Sequence, residues 1–241
     1  MKRQRLNWQE KVRKNVRKIM DFEHVKAVFE EYLNGYDREN DKVKLKIVHT
    51  YGVIRCSEEI GRRMGLQAED MELAKLIALL HDIGRFEQLK RFNSFEADTM
   101  DHATYGVQVL FEEGMIRQFI EEDTWDDVIR TAIAKHSDYE LTGITDERTL
   151  LHARLIRDAD KLDNCRVKLE DAMETLLDLS ADEVGKYAIS PKVREDAFAG
   201  KCICSKDRRT PMDYWVSYVA YFYDLNFRET LDIVAEEIEE R

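Results

Sequence analysis

Residues that interrupt helices are scarce in this sequence. Two prolines and ten glycines occur among its 241 residues, whereas the helix-favouring Glu, Lys, Leu, Ala and Met are abundant. There is no alternating strand pattern, no internal repeat and no glycine-rich phosphate loop. Because breakers are few and helix formers many, the sequence predicts an all-α fold, a compact helical bundle.

Long apolar runs are also missing. No stretch reaches the roughly 18 apolar residues that a membrane-spanning helix needs. The N-terminus has no apolar core of the signal-peptide kind. We therefore expect a cytoplasmic protein without a membrane partner.

The chain lacks an overall positive charge, with 38 Lys and Arg against 49 Asp and Glu, a net charge of −11. Phosphate backbones select basic surfaces, so this balance argues against nucleic acid as the default partner. Residues 1–20 are an exception, because they are strongly basic. The simplest interpretation is a solvated first helix or tail, and the alternative is an arm for a membrane surface or nucleic acid.

Cysteine is sparse as well. Cys56 and Cys165 stand singly in helical stretches, which fits reduced thiols. Cys202 and Cys204 form a Cys-x-Cys without a second pair, so a zinc knuckle is not supported. We interpret these thiols as structural or incidental.

The length of the chain suits one substantial helical domain and is short for two. We divide it into a basic segment at 1–20, a helical core at 21–180, and a C-terminal helical extension at 181–241 packed on the same domain.

Within the core, apolar spacing predicts a helix at 42–64 that Gly65 ends, and a helix at 69–80 that leads into His-Asp-Ile-Gly at 81–84. We expect a loop or short helical turn at 85–97, a polar turn at 137–145 and an irregular segment at 180–210, and these segments would form the walls of any pocket.

Several histidines and aspartates occupy positions where helical spacing calls for apolar side chains. His49 interrupts an apolar stripe, His136 extends another, and Asp160 lies among Leu and Ile. His81 and Asp82 end a buried run, where an ionised carboxyl is costly unless it is paired or bound to metal. The full set of candidates is His49, His81, Asp82, His102, His136 and Asp160.

Each of these residues alone is more often a hydrogen-bonded core residue than a ligand. Their occurrence on consecutive predicted helices favours a shared cation in the bundle core, where facing helices commonly build metal sites. Neutral imidazoles and carboxylates suit zinc, iron, manganese or nickel.

The order of these residues resembles the HD superfamily of metal-dependent phosphohydrolases. Four strings carry the resemblance, and they are Lys46-Ile-Val-His-Thr, Leu80-His-Asp-Ile-Gly-Arg, Asp101-His-Ala-Thr-Tyr-Gly and Arg157-Asp-Ala-Asp-Lys-Leu-Asp. The last three are similar to a bacterial branch of HD-domain proteins. The resemblance covers roughly residues 22–180. It is specific for the fold and metal site but not for the substrate.

The resemblance implies one or two divalent ions, which could be Fe, Mn, Zn, Ni or Mg. A first ion would be held by His49, His81, Asp82 and Asp160. The two extra histidines, His102 and His136, would hold a second ion that Asp82 bridges to the first. The chain has no Gly-Tyr-Pro string, so specificity for cyclic dinucleotides is not indicated.

Two metal ions a few ångströms apart would activate a bridging water that attacks phosphorus. Asp82 would then be catalytic as the bridging ligand. Arg85, where many relatives carry Lys, is the first candidate to neutralise the phosphoryl group, and Lys161 and Arg157 are weaker candidates; a surface salt bridge is an equal alternative for each. Asp158 and Asp163 either orient ligands or face solvent.

His24 and His152 match no motif position, and we interpret both as structural or exposed. We expect a phosphohydrolase that acts on a nucleotide or a small phosphate ester. The alternatives are a di-iron oxygenase of the inositol-oxygenase type, which shares this ligand set, and a nucleotide-sensing module without turnover. The sequence leaves open the metal, the substrate and any homo-oligomer.

Overall fold

The computed structural model describes residues 20–96, 98–170 and 173–239. Within these ranges the chain forms helices and no β-strand, which confirms the all-α prediction. Nearly all of the basic segment predicted at 1–20 lies outside the described residues.

The first half of the chain contains seven α-helices in the described part. They are α1 (Phe22–Leu33), α2 (Asp41–Met64), α3 (Ala68–Leu80), α4 (Ile83–Phe92), α5 (His102–Val107), α6 (Ile116–Phe119) and α7 (Asp126–Lys135). A π-helical turn, Gln108–Glu112, continues α5.

The second half begins with a long helix and ends with shorter ones. They are α8 (Glu147–Glu170), α9 (Met173–Leu177), α10 (Ala181–Val184), α11 (Pro191–Phe198), α12 (Pro211–Val219) and α13 (Arg228–Glu239). Two 3₁₀ turns, Ser205–Asp207 and Ala220–Asp224, flank α12.

Helix α2 has the predicted bounds because both of its ends carry stop signals. The Asn40 side chain accepts hydrogen bonds from the amides of Lys42 and Val43 and so caps the first turn. Gly65 ends the helix in the left-handed conformation, with φ 71°. These local signals fix the axial position of His49 before any tertiary contact forms.

The core lies where α2, α3, α7 and α8 pack together. Helix α3 is the most deeply buried of them, and its residues 76–80 are almost fully shielded from solvent. Consequently the dipeptide that follows α3, His81-Asp82, is carried into the centre of the molecule.

The segment 85–97, expected as a loop or short helical turn, is more regular than that, because Ile83–Phe92 forms the ten-residue helix α4. Phe86 and Leu89 are buried at helical spacing, while charged residues cover the other face. The segment 180–210 likewise contains two helices, α10 and α11. In both segments a few buried apolar residues are enough to stabilise a helix. The many charged residues around them hide the helical spacing in the sequence.

The C-terminal residues pack against α8. The buried Asp158 carboxylate accepts hydrogen bonds from the amides of Asn226 and Phe227 and from the Thr230 hydroxyl. Ile233 of α13 joins the main hydrophobic core. These contacts place the end of the chain beside the helix that carries Asp160.

Among the described residues, no helix is both long enough and apolar enough to cross a membrane.

Candidate metal centre

Five helix segments bring the six candidate side chains to one place. His49 lies in the middle of α2, and Asp160 lies on α8, which packs directly against α2. His81 and Asp82 occupy the break between α3 and α4, where Asp82 has φ −110° and ψ 22°. His102 opens α5 and His136 ends α7.

The first group consists of His49, His81, Asp82 and Asp160. Nε2 of His49 lies 2.9 Å from Oδ1 of Asp160, and Nε2 of His81 lies 3.2 Å from Oδ2 of Asp82. The ligand atoms of the group all lie within 4.8 Å of one another. That spacing suits a single cation coordinated by all four side chains.

The second group consists of Asp82, His102 and His136. Oδ1 of Asp82 lies 3.1 Å from Nε2 of His102 and 3.5 Å from Nε2 of His136. The two imidazole Nε2 atoms are 3.2 Å apart. Asp82 therefore belongs to both groups, with one carboxylate oxygen facing each.

Three of the imidazoles are oriented through their other nitrogen. Nδ1 of His49 donates to Oδ2 of Asp163 at 2.7 Å, Nδ1 of His81 donates to the Ala78 carbonyl at 2.7 Å, and Nδ1 of His136 donates to the Ile133 carbonyl at 2.7 Å. A proton held at Nδ1 leaves the Nε2 lone pair facing the centre. This is the arrangement that metal-ligating histidines commonly have.

The atoms at the centre fit a cation. Nε2 of His81 and Oδ1 of Asp82 are buried and make no hydrogen bond within the described part of the chain. An imidazole lone pair and a carboxylate oxygen repel each other unless a proton or a metal ion lies between them. Buried polar atoms of this kind need a partner, and a divalent ion satisfies all of them at once.

The electrostatics of the site also favour a bound cation, because they keep both carboxyl groups ionised. Burial alone would raise the pKa of Asp82, but Lys46 and His81 hold it well below its usual range. Burial likewise opposes ionisation of Asp160, and hydrogen bonds from His49 and His81 hold its pKa well below the ordinary value. Both carboxyl groups are therefore anionic near neutral pH.

The histidines respond to these charges differently. Burial and the charge of Arg85 lower the pKa of His102 to about 3, so its imidazole is neutral. Burial opposes protonation of His81, but Asp82 and Asp160 outweigh it and raise its pKa to about 9. The carboxylates thus draw positive charge to the centre, and a metal ion would compete with a proton for Nε2 of His81.

Lys46 lies at the site, although the sequence motif that contains it predicted no role for this residue. Its ammonium group is buried and contacts Oδ2 of Asp82. It lies three positions before His49, so both side chains emerge from the same face of α2. A lysine three residues before a candidate ligand was the signal available in the sequence.

Arg85 lies at the centre, as expected for the first phosphate-binding candidate. Its guanidinium group donates to Nε2 of His102 at 2.9 Å and also binds Gln88 and the Phe95 carbonyl. Its Nε lies 3.9 Å from Oδ1 of Asp82. Because Arg85 uses the lone pair of His102 that a second cation would need, the guanidinium group must release it when that cation binds.

Arg157 and Lys161 flank Asp160 on α8 and share one carboxylate. Arg157 lies 2.6 Å and Lys161 2.8 Å from Oδ2 of Asp224. Arg157 also donates to the backbone carbonyls of 136 and 138, immediately after α7. Both cations form the salt bridge that was the alternative to phosphate binding, but they are buried and do not lie on the surface. Arg157 also holds the turn that carries His136.

The two neighbouring aspartates have separate partners. Asp163 is fully buried and binds His49, as the ligand-orienting alternative requires. Asp158 is also buried, but it binds the C-terminal segment and not a candidate ligand. Neither faces solvent.

Two histidines stand apart from the centre, as expected from their lack of a motif. His24 is exposed and lies 2.9 Å from the Gln118 carbonyl. His152 is buried, and its Nε2 lies 3.0 Å from Oδ1 of Asp70, where it links α8 to α3.

The centre opens into a cleft of about 530 Å³. One wall comes from residues 95, 96, 100 and 101 and from the segment after α7, and the other comes from residues 202–224. Tyr218 and Tyr221 line the second wall, with their ring centroids 5.5 Å apart, and burial raises the pKa of Tyr221 well above its ordinary value. Cys202 and Cys204 reach the same cleft as free thiols, and neither has joined a disulfide.

Comparison with known proteins agrees with this geometry. Residues 47–165 match the family model of the HD domain, and all six candidate ligands lie inside that range. The chain is similar to ribonuclease Y from Acetivibrio thermocellus, with 30% identity over 165 residues. The similarity covers 65% of this chain and 27% of ribonuclease Y, so the chain spans about a quarter of that relative's length. No solved structure matches the chain.

Proposed function

This chain carries an HD domain, and we propose that it is a metal-dependent phosphohydrolase that cleaves a nucleotide or a small phosphate ester. HD domains belong to a superfamily made up mostly of metal-dependent phosphohydrolases. One observation carries the proposal above the others: the two carboxylate oxygens of Asp82 each face a separate set of imidazoles. That arrangement supports our proposal of a site for two neighbouring cations.

Ions bound there would supply a water molecule with a lowered pKa and would stabilise negative charge on phosphoryl oxygens. The protein's part is to hold the ligands. Asp163 and the carbonyls of Ala78 and Ile133 keep three Nε2 atoms aimed at the centre. This preorganisation means that little conformational entropy is lost when a cation binds.

The positive side chains of the cleft would bind the phosphoryl group. Arg85 lies beside Asp82, and its planar fork of donors matches two phosphoryl oxygens. Lys161 lies next to Asp160 in sequence and shares Asp224 with Arg157, so these two cations together carry one uncompensated charge. Lys46 neutralises part of the charge on Asp82.

Ribonuclease Y, by its name, acts on RNA, and that activity is a rival for this chain. Three observations favour the smaller substrate. The net charge of −11 repels a polyanionic backbone over most of the surface, and the similarity reaches only about a quarter of ribonuclease Y. The cleft of about 530 Å³ has the size of a small-molecule site.

The test begins with metal analysis of the purified protein. Manganese, iron, zinc, nickel and magnesium are then added separately to metal-free protein, and phosphate release is measured from nucleotides, sugar phosphates and a short RNA. Metal-dependent release from a small ester supports the proposal. Oxygen consumption by the iron-loaded protein, without phosphate release, would indicate the oxygenase alternative. Absence of any bound metal at micromolar concentrations would contradict both.

A further inference from the structure

The cleft contains five cationic side chains, and four of them have partners. Lys46 contacts Asp82, Arg157 and Lys161 share Asp224, and Arg85 binds His102 and Gln88. The fifth is Arg208, which lies in the wall formed by residues 202–224. This wall is outside residues 47–165, the region that matches the HD domain.

Arg208 is held in place without an ion pair. Its guanidinium carbon lies 4.3 Å from the ring centroid of Tyr214, and Nε lies 3.4 Å from the Ser205 carbonyl. The two terminal nitrogens make no hydrogen bond or salt bridge within the described residues. The guanidinium plane is therefore fixed by stacking while its outer edge is available to a planar oxyanion.

Tyr214 is itself held in place, so the stacking of Arg208 on its ring has a defined geometry. Its hydroxyl donates to the Glu96 carboxylate on the opposite wall of the cleft. Asp213, the preceding residue, is fully buried and accepts hydrogen bonds from the amides of Arg209 and Thr210. Arg208 thus projects from a short segment that is anchored on both sides.

The charge and the size of the cleft leave room for a second anionic group beside Arg208. Five cationic side chains and six carboxylates line it. Two divalent ions would leave an excess of three positive charges, so the cleft would attract anionic groups. A cavity of about 530 Å³ also leaves room beyond a single phosphoryl group.

From these observations we propose that Arg208 forms a second anion-binding subsite and that the substrate is a phosphate ester with a second phosphate or carboxylate group. Arg208 receives that group through its terminal nitrogens, while the scissile phosphate lies at the metal centre. The inference rests on the proposed phosphohydrolase function. It goes further by naming the substrate class and a residue that selects it.

Non-hydrolysable probes test this without knowledge of the natural substrate. Alkane α,ω-bisphosphonates, ω-carboxyalkylphosphonates and simple alkylphosphonates of matched chain length are titrated into manganese-loaded full-length protein by calorimetry. The wild-type protein should bind the best bis-anionic probe at least about tenfold more tightly than the matched monophosphonate, as expected for a charge-assisted bidentate contact. The bisphosphonate and carboxylate arms identify which second group is preferred.

Arg208→Ala should remove this preference and leave the affinity for the monophosphonate unchanged, and Arg208→Lys should restore only part of it. Arg209→Ala is the matched control, because it removes the same charge from an exposed neighbour that does not line the cleft. Equal binding of both probes by the wild-type protein, or a preference that survives in Arg208→Ala, overturns the subsite and leaves the phosphohydrolase proposal standing. Failure of every phosphonate to bind the manganese-loaded wild-type protein overturns both.

Discussion

At the scale of single residues, the candidate centre depends on which nitrogen of each histidine carries a proton. His49, His81 and His136 have their Nδ1 atoms occupied by nearby acceptors, and this leaves Nε2 available. His102 is neutral because burial and Arg85 oppose its protonation. Four imidazoles around two carboxylates supply the nitrogen and oxygen donors that divalent cations such as zinc, iron and manganese prefer.

The ligands make the sharpest prediction at this scale. We expect His81→Ala and Asp82→Asn to lose bound metal and metal-dependent activity, because each removes a donor that no neighbouring residue replaces. The measurement is metal content per protein molecule after gel filtration, together with the phosphate-release assay. His24→Ala is the control, since His24 is exposed and its imidazole contacts the Gln118 carbonyl and not a candidate ligand. Full metal content in both ligand variants would remove the basis of the proposed site.

At the scale of helices, two glycines allow elements to approach closely. A Cβ atom at Gly52 would overlap the carboxylate of Asp163, so α2 can carry His49 to Asp163 only because residue 52 has no side chain. A Cβ atom at Gly84 would overlap the carbonyl of His102, where α4 crosses α5. Both glycines therefore bring candidate ligands together through backbone spacing.

We expect Gly52→Ala to destabilise the fold by roughly 1–3 kcal/mol, the usual cost of overpacking, and to weaken metal binding through displaced Asp163. Gly61→Ala in the same helix is the matched control. The atoms nearest to its added Cβ are the flexible ends of Leu66 and Met71, so the change should be close to neutral. Urea denaturation and metal titration of both variants provide the measurements. Equal behaviour of the two variants would show that the Gly52 contact has no role.

Asp213 anchors the wall of the cleft and should make its stability depend on pH. Burial opposes ionisation, but hydrogen bonds from Ser190, Arg209 and Thr210 keep the pKa of Asp213 below its ordinary value. Because the folded-state pKa is below the unfolded value near 3.9, the stabilisation is complete above about pH 5. It is lost as the pH falls through the lower folded-state pKa.

We therefore expect Asp213→Asn to lower the free energy of unfolding by roughly 1–3 kcal/mol at pH 7. The difference from the wild-type protein should shrink as the pH falls below 4. Urea denaturation at pH 7, 5, 4 and 3.5 measures this, with Asp207→Asn as a control in the neighbouring turn. A difference that stays constant across these pH values would contradict the role assigned to the carboxylate.

At the scale of the whole molecule, the centre links helices from distant parts of the chain. The candidate ligands lie on helices α2, α5 and α8 and directly after helices α3 and α7. A cation that binds the folded chain and not the unfolded one stabilises the entire bundle through linkage. The stability of the protein and the occupancy of the site should consequently change together.

We expect the midpoint of thermal unfolding to rise by roughly 5–10 °C when manganese is present at one hundred times its dissociation constant. That concentration corresponds to about 2.7 kcal/mol of stabilisation, and each kcal/mol shifts the midpoint of a domain of this size by about 2–4 °C. Differential scanning calorimetry with manganese and then with excess chelator measures the shift. Asp82→Asn should show none, and an equal rise in that variant would place the stabilising ion elsewhere.

The sequence by itself determined the helical class, the bounds of α2 and the identity of the six candidate ligands. It did so because breaker residues, caps and polar residues on apolar faces are local signals. It did not reveal α4, where dense charge conceals a narrow apolar stripe, nor the part played by Lys46.

Tertiary structure alone decided how these residues are combined. Whether Asp163 or Asp158 supports a ligand depends on which helix faces each of them, and both lie in the same short string on α8. The position of Arg208 opposite the centre depends on the path of the chain after α11, because contacts between residues far apart in sequence hold that path in place. Spacing along one helix determines the face on which each side chain lies. Only the packing of helices against one another determines the distances between charged side chains on different helices.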